Sequence, residues 1–249
     1  MNRKMGGGIV RRIFDHYLRD MLNRVNDLET SIRVLVDSPL YVHDDIVGFN
    51  GVRGRKKIFN EILNTYSFHH IIETGTYLGD TSGYMTTTSG VPVLTCELNQ
   101  SLYRIAKMRL KHISSISLHN MDSRAFLMHL SNNTGITKKC CFIYLDAHWG
   151  KDIPLREEIM IIASNWDEFV IMIDDFKVPG DDGYAHDNYG TLEYINMPHL
   201  RRQYNLRAYF PSMPSTEEPT QPTGCVVMAK KNSFGERLDE VMSLRRYDL

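Results

Sequence analysis

The sequence predicts an α/β protein built on a doubly wound, mainly parallel sheet of seven strands, with a helical extension before it. Three observations carry that prediction. Five short apolar runs recur along the chain: HHIIE (69–73), VPVLTCE (91–97), SISLHN (115–120), CCFIYLD (140–146) and EFVIMID (168–174). They lack strict alternation, which is the pattern of strands buried on both faces. Helical stretches near 79–88, 100–112, 122–131 and 154–164 separate them, and such alternation implies right-handed crossovers and a parallel sheet. Two more runs, NLRAYFPSM and GCVVMAKK, are joined by SMPSTEEPTQPTG. That connection is too short for a helical crossover, so the last two strands are expected to pair antiparallel.

The remaining elements follow in order. Residues 1–8 are polar and glycine-rich and read as a loose tail. From Arg11 to Val36, apolar residues recur at helical spacing (Phe14, Leu18, Met21, Leu22, Val25, Leu28, Ile32), which predicts one long amphipathic helix. A loop with Gly48, Gly51 and Gly54 leads to a second helix from Arg55 to Tyr66. After the fifth run, Lys177–Gly190 reads as a long loop rich in Asp and Gly, and Thr191–Arg202 as a short helix. Residues 234–249 are expected to form a terminal helix. The division is therefore 1–54 for tail, helix and loop, 55–233 for the sheet domain, and 234–249 for a helical tail. The first helix is expected to pack on the sheet domain or, in a homodimer, on a second copy.

Composition narrows the function. Of 249 residues, 42% are hydrophobic and 24% charged, enough apolar surface for a real core. With 29 basic and 30 acidic residues the net charge is −1, so no global field draws the chain to nucleic acid or to an anionic membrane. The four cysteines form no C-x-x-C pair, and Cys96, Cys140 and Cys141 lie in or beside apolar runs, as buried reduced thiols do, which points to the cytoplasm. No apolar run approaches the roughly 18 residues that span a bilayer, and the first twenty residues do not read as a signal peptide.

The chemistry gathers at strand ends. I-I-E-T-G-T-Y-L-G-D-T-S-G (71–83) sits where the first strand gives way to a helix, and open α/β sheets bind ligands outside the carboxyl ends of their strands. Gly75 permits a tight turn and close approach of backbone to ligand, and Gly79 and Gly83 permit close helix packing. Glu73 places a carboxylate at the strand tip. Tyr77 stands where the dinucleotide fingerprint G-x-G-x-x-G needs its second glycine, which disfavours a nicotinamide-dependent oxidoreductase. Glu97 ends the second strand, 22 residues after Gly75, where an acid accepts hydrogen bonds from both hydroxyls of a ribose. Asp122 and Ser123 follow the third strand. They can reach an adenine edge, and Asp122 equally suits a helix N-cap. Asp146 ends the fourth strand, and Asp174 and Asp175 end the fifth. Three carboxylates at neighbouring strand ends repel one another unless a cation joins them, and oxygen-only ligands suit Mg2+ or another hard divalent ion.

Together these motifs resemble class I S-adenosylmethionine-dependent methyltransferases, and in particular the divalent-metal-dependent O-methyltransferases of catechol and macrolide-sugar type. The resemblance covers residues 55–230. E-T-G-T-Y-L-G is similar to the family's first glycine motif, which implies cofactor contacts from Glu73, Gly75, Thr76, Tyr77 and Gly79. Glu97 matches its ribose-binding acid, Asp122–Ser123 its adenine-side position, and Asp146 both its cofactor and its metal position. L-D-A-H-W-G-K (145–151) is similar to the L-D-H-W-K stretch of the catechol enzymes, with two inserted residues, and I-D-D (173–175) to the paired metal ligands of the sugar enzymes. The implied fold is the Rossmann-like methyltransferase fold. The implied reaction is methyl transfer from S-adenosylmethionine to a hydroxyl of a small molecule or sugar, with Mg2+ held by Asp146, Asp174 and Asp175. Lys151 and His148 are the candidate bases for the acceptor proton, with His186 a weaker third. The competing reading from another class is a non-catalytic binding module that keeps the fold. The basic run R-G-R-K-K (53–57) reads as the solvated first turn of a helix.

Overall fold

The structure, a computed structural model, describes residues 17–26, 28–29, 48–148, 152–187 and 197–247. The chain divides into two compact units, Met1–Asp45 and Ile46–Leu249. In the first, residues 17–26 and 28–29 are helical, inside the span where the apolar spacing predicts a helix. The rest of that span lies outside the described residues.

The second unit starts upstream of the expected boundary at 55. A helical turn at Gly48–Gly51 buries Phe49 against the rings of Phe59, Tyr84 and Tyr144. The order is then α1 (Arg53–Thr65), β1 (His70–Thr74), α2 (Asp80–Ser89), β2 (Val93–Cys96), α3 (Gln100–Leu110), β3 (Ile116–His119), α4 (Ser123–Ser131), α5 (Thr134–Thr137), β4 (Cys141–Leu145), α6 (Leu155–Asn165), β5 (Phe169–Ile173), α7 (Met197–Gln203), β6 (Leu206–Pro211), β7 (Val226–Lys230), α8 (Ser233–Glu236) and β8 (Leu244–Tyr247). One sheet contains all the strands in the order β3-β2-β1-β4-β5-β7-β6-β8. Strands β1 to β5 run parallel, while β7 is antiparallel to β5 and to β6. The seven expected strands are all present, and the final pair is reversed as the short connection requires.

The eighth strand corrects the expected terminal helix. Helical turns end at Glu240, and Leu244–Tyr247 then pairs antiparallel with β6. The segment L-R-R-Y has no helical stripe, and the open edge of β6 offers its backbone a full set of partners. Glu61 of α1 accepts the Ser243 amide at 2.7 Å and its hydroxyl at 2.8 Å, which fixes where the strand begins.

The core has two layers because the sheet is covered on both faces. Ile143 and Leu145 of β4 face Phe126 and Leu130 of α4 and Ile159 and Ile162 of α6. Phe142 and Tyr144, one residue out of phase, face Phe49 and the Ile58, Phe59 and Ile62 stripe of α1. Cys141 to Leu145 are all fully buried, which accounts for the missing polar alternation in the sequence. Successive crossovers place β2 and β3 on one side of β1, and β4 and β5 on the other. The strand order therefore reverses between β1 and β4, where this architecture opens a crevice at the carboxyl ends.

Candidate active site at the carboxyl edge of the sheet

The turn after β1 lies at that reversal. Gly75 has a φ of +85°, and a Cβ built on it would lie 2.3 Å from the carbonyl oxygen of Asp146, at the end of β4. Only glycine satisfies both constraints. The amides of Gly75 and Thr76 both donate to the Cys96 carbonyl at 3.0 Å, and the Asp146 amide donates to the Thr74 carbonyl at 3.0 Å. The ends of β1, β2 and β4 are thus tied into one rim. Tyr77 adopts φ 50°, a left-handed conformation unusual for a bulky residue, and projects an exposed ring. Gly79, at φ +87°, packs against Leu110 of α3.

Two acids serve this turn. Glu73 is completely buried in register with Thr95 and Tyr144. Its Oε2 accepts the hydroxyls of Ser82, at the start of α2, and of Thr95 at 2.7 Å, while Oε1 is buried with no hydrogen-bond partner. Burial raises its pKa from 4.5 to about 7, although the two hydroxyls oppose the rise. Glu97 accepts the Tyr77 amide at 2.9 Å through Oε2 and the Asn99 amide at 2.8 Å through Oε1. Burial also raises its pKa. Each oxygen retains a lone pair, so the carboxylate can bind further donors at the crevice.

Other expected residues take narrower parts. The Thr76 hydroxyl turns onto Thr95 at 2.6 Å and is buried, so its contribution to a ligand would come from the backbone. Asp122 is the N-cap of α4, accepting the amides of Arg124 at 2.9 Å and Ala125 at 3.3 Å. The Arg124 side chain also grips it, holding its pKa below the usual carboxylate range, and reaches on to Asp152. Ser123 is buried at the first turn of α4. His148 is buried with its Nε2 3.5 Å from Oε2 of Glu158, a fully buried acid in the first turn of α6. Lys151 lies outside the described residues. His186 is exposed in its loop.

The acids at β4 and β5 correct the metal expectation. Asp174 is fully buried, and its Oδ1 forms an ion pair with Nη1 of Arg55 while also accepting the Asp175 amide at 2.8 Å. Its Oδ2 accepts the Tyr144 hydroxyl at 2.6 Å. Asp175, at φ 47°, stands 3.5 Å from Nη2 of the same arginine. Among the described residues, no set of three or more His, Cys, Asp or Glu side chains is grouped as a metal ion requires. The residues present do not fit the expected Mg2+ site, because a protein cation already occupies the inner acid.

Arg55 is the residue that sequence reasoning missed. The run R-G-R-K-K does not behave as one solvated turn. Lys57 is 67% exposed, whereas Arg55 is 1% exposed and reaches Asp174 and Thr223. Burial alone would lower its pKa, but Asp174, then Tyr144, Cys225 and Asp175, hold it above its ordinary value. Nothing in a run of like charges marks which member turns inward. Beside Arg55 lies a small cleft of about 50 Å3, lined by Lys57, Tyr184, Met213, Glu218 and Cys225 among others.

No protein-family model matches the chain, and no curated protein matches it in sequence. Solved structures do match. The O-methyltransferase from Bacillus cereus in complex with SAH is 18% identical with a TM-score of 0.52, over 83% of this chain and 91% of that one. The O-methyltransferase TomG from Streptomyces achromogenes, involved in tomaymycin synthesis and in complex with SAM, is 14% identical with a TM-score of 0.53, over 81% and 96%. Cofactor-bound Rv0187 from MTB is 12% identical with a TM-score of 0.55, over 84% and 91%. The fold is the Rossmann-like methyltransferase fold. Among the described residues, no helix is long and apolar enough to cross a membrane. The four cysteines are free and buried.

Proposed function

We propose that this chain is an S-adenosylmethionine-dependent O-methyltransferase acting on a hydroxyl of a small molecule or sugar in the reducing cytoplasm. The observation that carries the reading is the pairing of two buried acids with one glycine turn at the strand-order reversal. Glu97 hydrogen-bonds the turn and keeps lone pairs for ribose hydroxyls. Glu73 keeps one buried oxygen without a partner, and the ammonium group of the cofactor's amino acid is the chemistry that satisfies it. The cofactor, when bound, supplies an electrophilic methyl on a sulfonium.

The chain's own residues then bind, orient and remove a proton. Gly75 and Tyr77 present backbone to the cofactor, and Asp122 holds the start of α4 at the adenine side. The acceptor is placed at the mouth of the cleft beside Arg55, which Met213, Glu218 and Tyr184 line. His148 lies beside Glu158 inside the protein, so the proton-accepting role is proposed for Lys151, with His186 as the second candidate. The side chain of Tyr77, where the dinucleotide fingerprint needs its second glycine, argues against a nicotinamide-dependent oxidoreductase.

Calorimetry with S-adenosylhomocysteine tests the reading. Binding at micromolar affinity or better is expected, and Glu97→Ala should weaken it by about 1–3 kcal/mol through lost charged hydrogen bonds. NADH binding without any response to S-adenosylhomocysteine would overturn it.

A further inference from the structure

We infer that Arg55 does the electrostatic work of a divalent cation at the ends of β4 and β5, so that this protein needs no metal to hold its acids together. Asp174 and Asp175 adjoin there after β5, and Asp146 follows the neighbouring β4. The cation that answers this cluster is covalently part of the chain. The Arg55 guanidinium pairs with Asp174 and stands 3.5 Å from Asp175. It is steadied from the far side by Thr223, whose carbonyl accepts from Nη2 at 3.3 Å and whose hydroxyl also contacts that nitrogen.

Both oxygens of Asp174 are engaged, one by Arg55 and the Asp175 amide, the other by Tyr144. A hard cation would have to displace a fully buried guanidinium, which cannot shed its charge by deprotonation, and then sit next to it. Arginine differs from Mg2+ in one chemical respect: it neutralises and donates hydrogen bonds but offers no open coordination position to an acceptor oxygen. Methyl transfer here is therefore independent of added metal. This last step rests on the proposed methyltransferase reading, whereas the charge substitution itself does not.

The test uses Mn2+ as probe, read by its electron paramagnetic resonance signal, on the full chain. The wild type is expected to show no Mn2+ binding that Asp175→Asn removes, up to about 1 mM ion. Arg55→Gln, checked for fold by circular dichroism, is expected to gain Mn2+ affinity by about tenfold or more, and Arg55→Lys, which keeps a cation, is expected to gain none. Stoichiometric Mn2+ binding to the wild type that is lost in Asp175→Asn would overturn the inference. So would a folded Arg55→Gln protein that takes up no Mn2+. If Arg55→Gln does not fold, the wild-type and Asp175→Asn titrations decide alone. S-adenosylhomocysteine binding measured on the same samples separates failure of this inference from failure of the functional reading.

Discussion

Replacing Glu73 with glutamine isolates the cost of keeping a buried acid at the tip of β1. In the folded protein its pKa lies at about 7, against 4.5 for an ordinary glutamate, chiefly because burial disfavours the charged form. The folded state therefore holds a proton that the unfolded chain has already released between those two values. Stability falls as pH rises through that window, because the unfolded state binds fewer protons there. At about 1.4 kcal/mol for each tenfold change in proton affinity, the full loss above pH 7 is about 3 kcal/mol. Glutamine copies the neutral form and keeps an oxygen for Ser82 and Thr95. Urea unfolding from pH 5 to pH 8 should show the variant and the wild type close together at the acid end. The variant should become more stable by an amount approaching about 3 kcal/mol at the alkaline end. Parallel pH dependences for the two proteins would refute the reasoning, since Glu73 would then titrate alike in both states.

The other predictions concern packing and charge. Gly75→Ala combines a left-handed backbone with a Cβ placed 2.3 Å from a carbonyl oxygen. Urea unfolding should show a loss of about 2–4 kcal/mol, with S-adenosylhomocysteine binding abolished in calorimetry. Asp174→Ala strips the buried guanidinium of its main partner and should cost about 3–5 kcal/mol in the same unfolding assay. Ile159→Ala, on the fully buried stripe of α6, should cost about 2–5 kcal/mol. Burial pushes the Cys140, Cys141 and Cys225 thiols up to about 12. A colorimetric thiol reagent should therefore react with no cysteine quickly in the native protein and with all four after denaturation.

Parts of this molecule were legible because their causes are local. The runs from 69 to 174 reveal parallel strands because a strand covered on both faces cannot alternate polar and apolar residues, and Cys141–Leu145 shows that condition met in full. Glu73, Gly75 and Glu97 were legible because strand ends and a turn dictate their places. What escaped was decided at long range. Leu244–Tyr247 is a strand because β6 has a free edge, a fact absent from its own four residues. Arg55 is interior because Asp174, far along the chain at the end of β5, needs a partner, and no feature of R-G-R-K-K singles it out. The same partnership is what a metal expectation read from the sequence leaves out, since adjacent acids in a sequence look alike whether an ion or a guanidinium answers them.

The late arrival of β8 also sets an order of events during synthesis. Until Ser243 and the residues after it have been made, β6 presents Ala208, Tyr209 and Phe210 along an uncovered edge, and Glu61 of α1 waits without the serine that it anchors. An unfinished chain of this protein is therefore sticky in one particular direction, ready to recruit the equivalent edge of another nascent copy. Completion of β8 replaces that apolar edge with a four-residue edge strand carrying Arg245 and Arg246, which invites a second copy less readily, so a ribosome stalled just short of Ser243 would release a species prone to aggregate although nearly all of its core is already encoded.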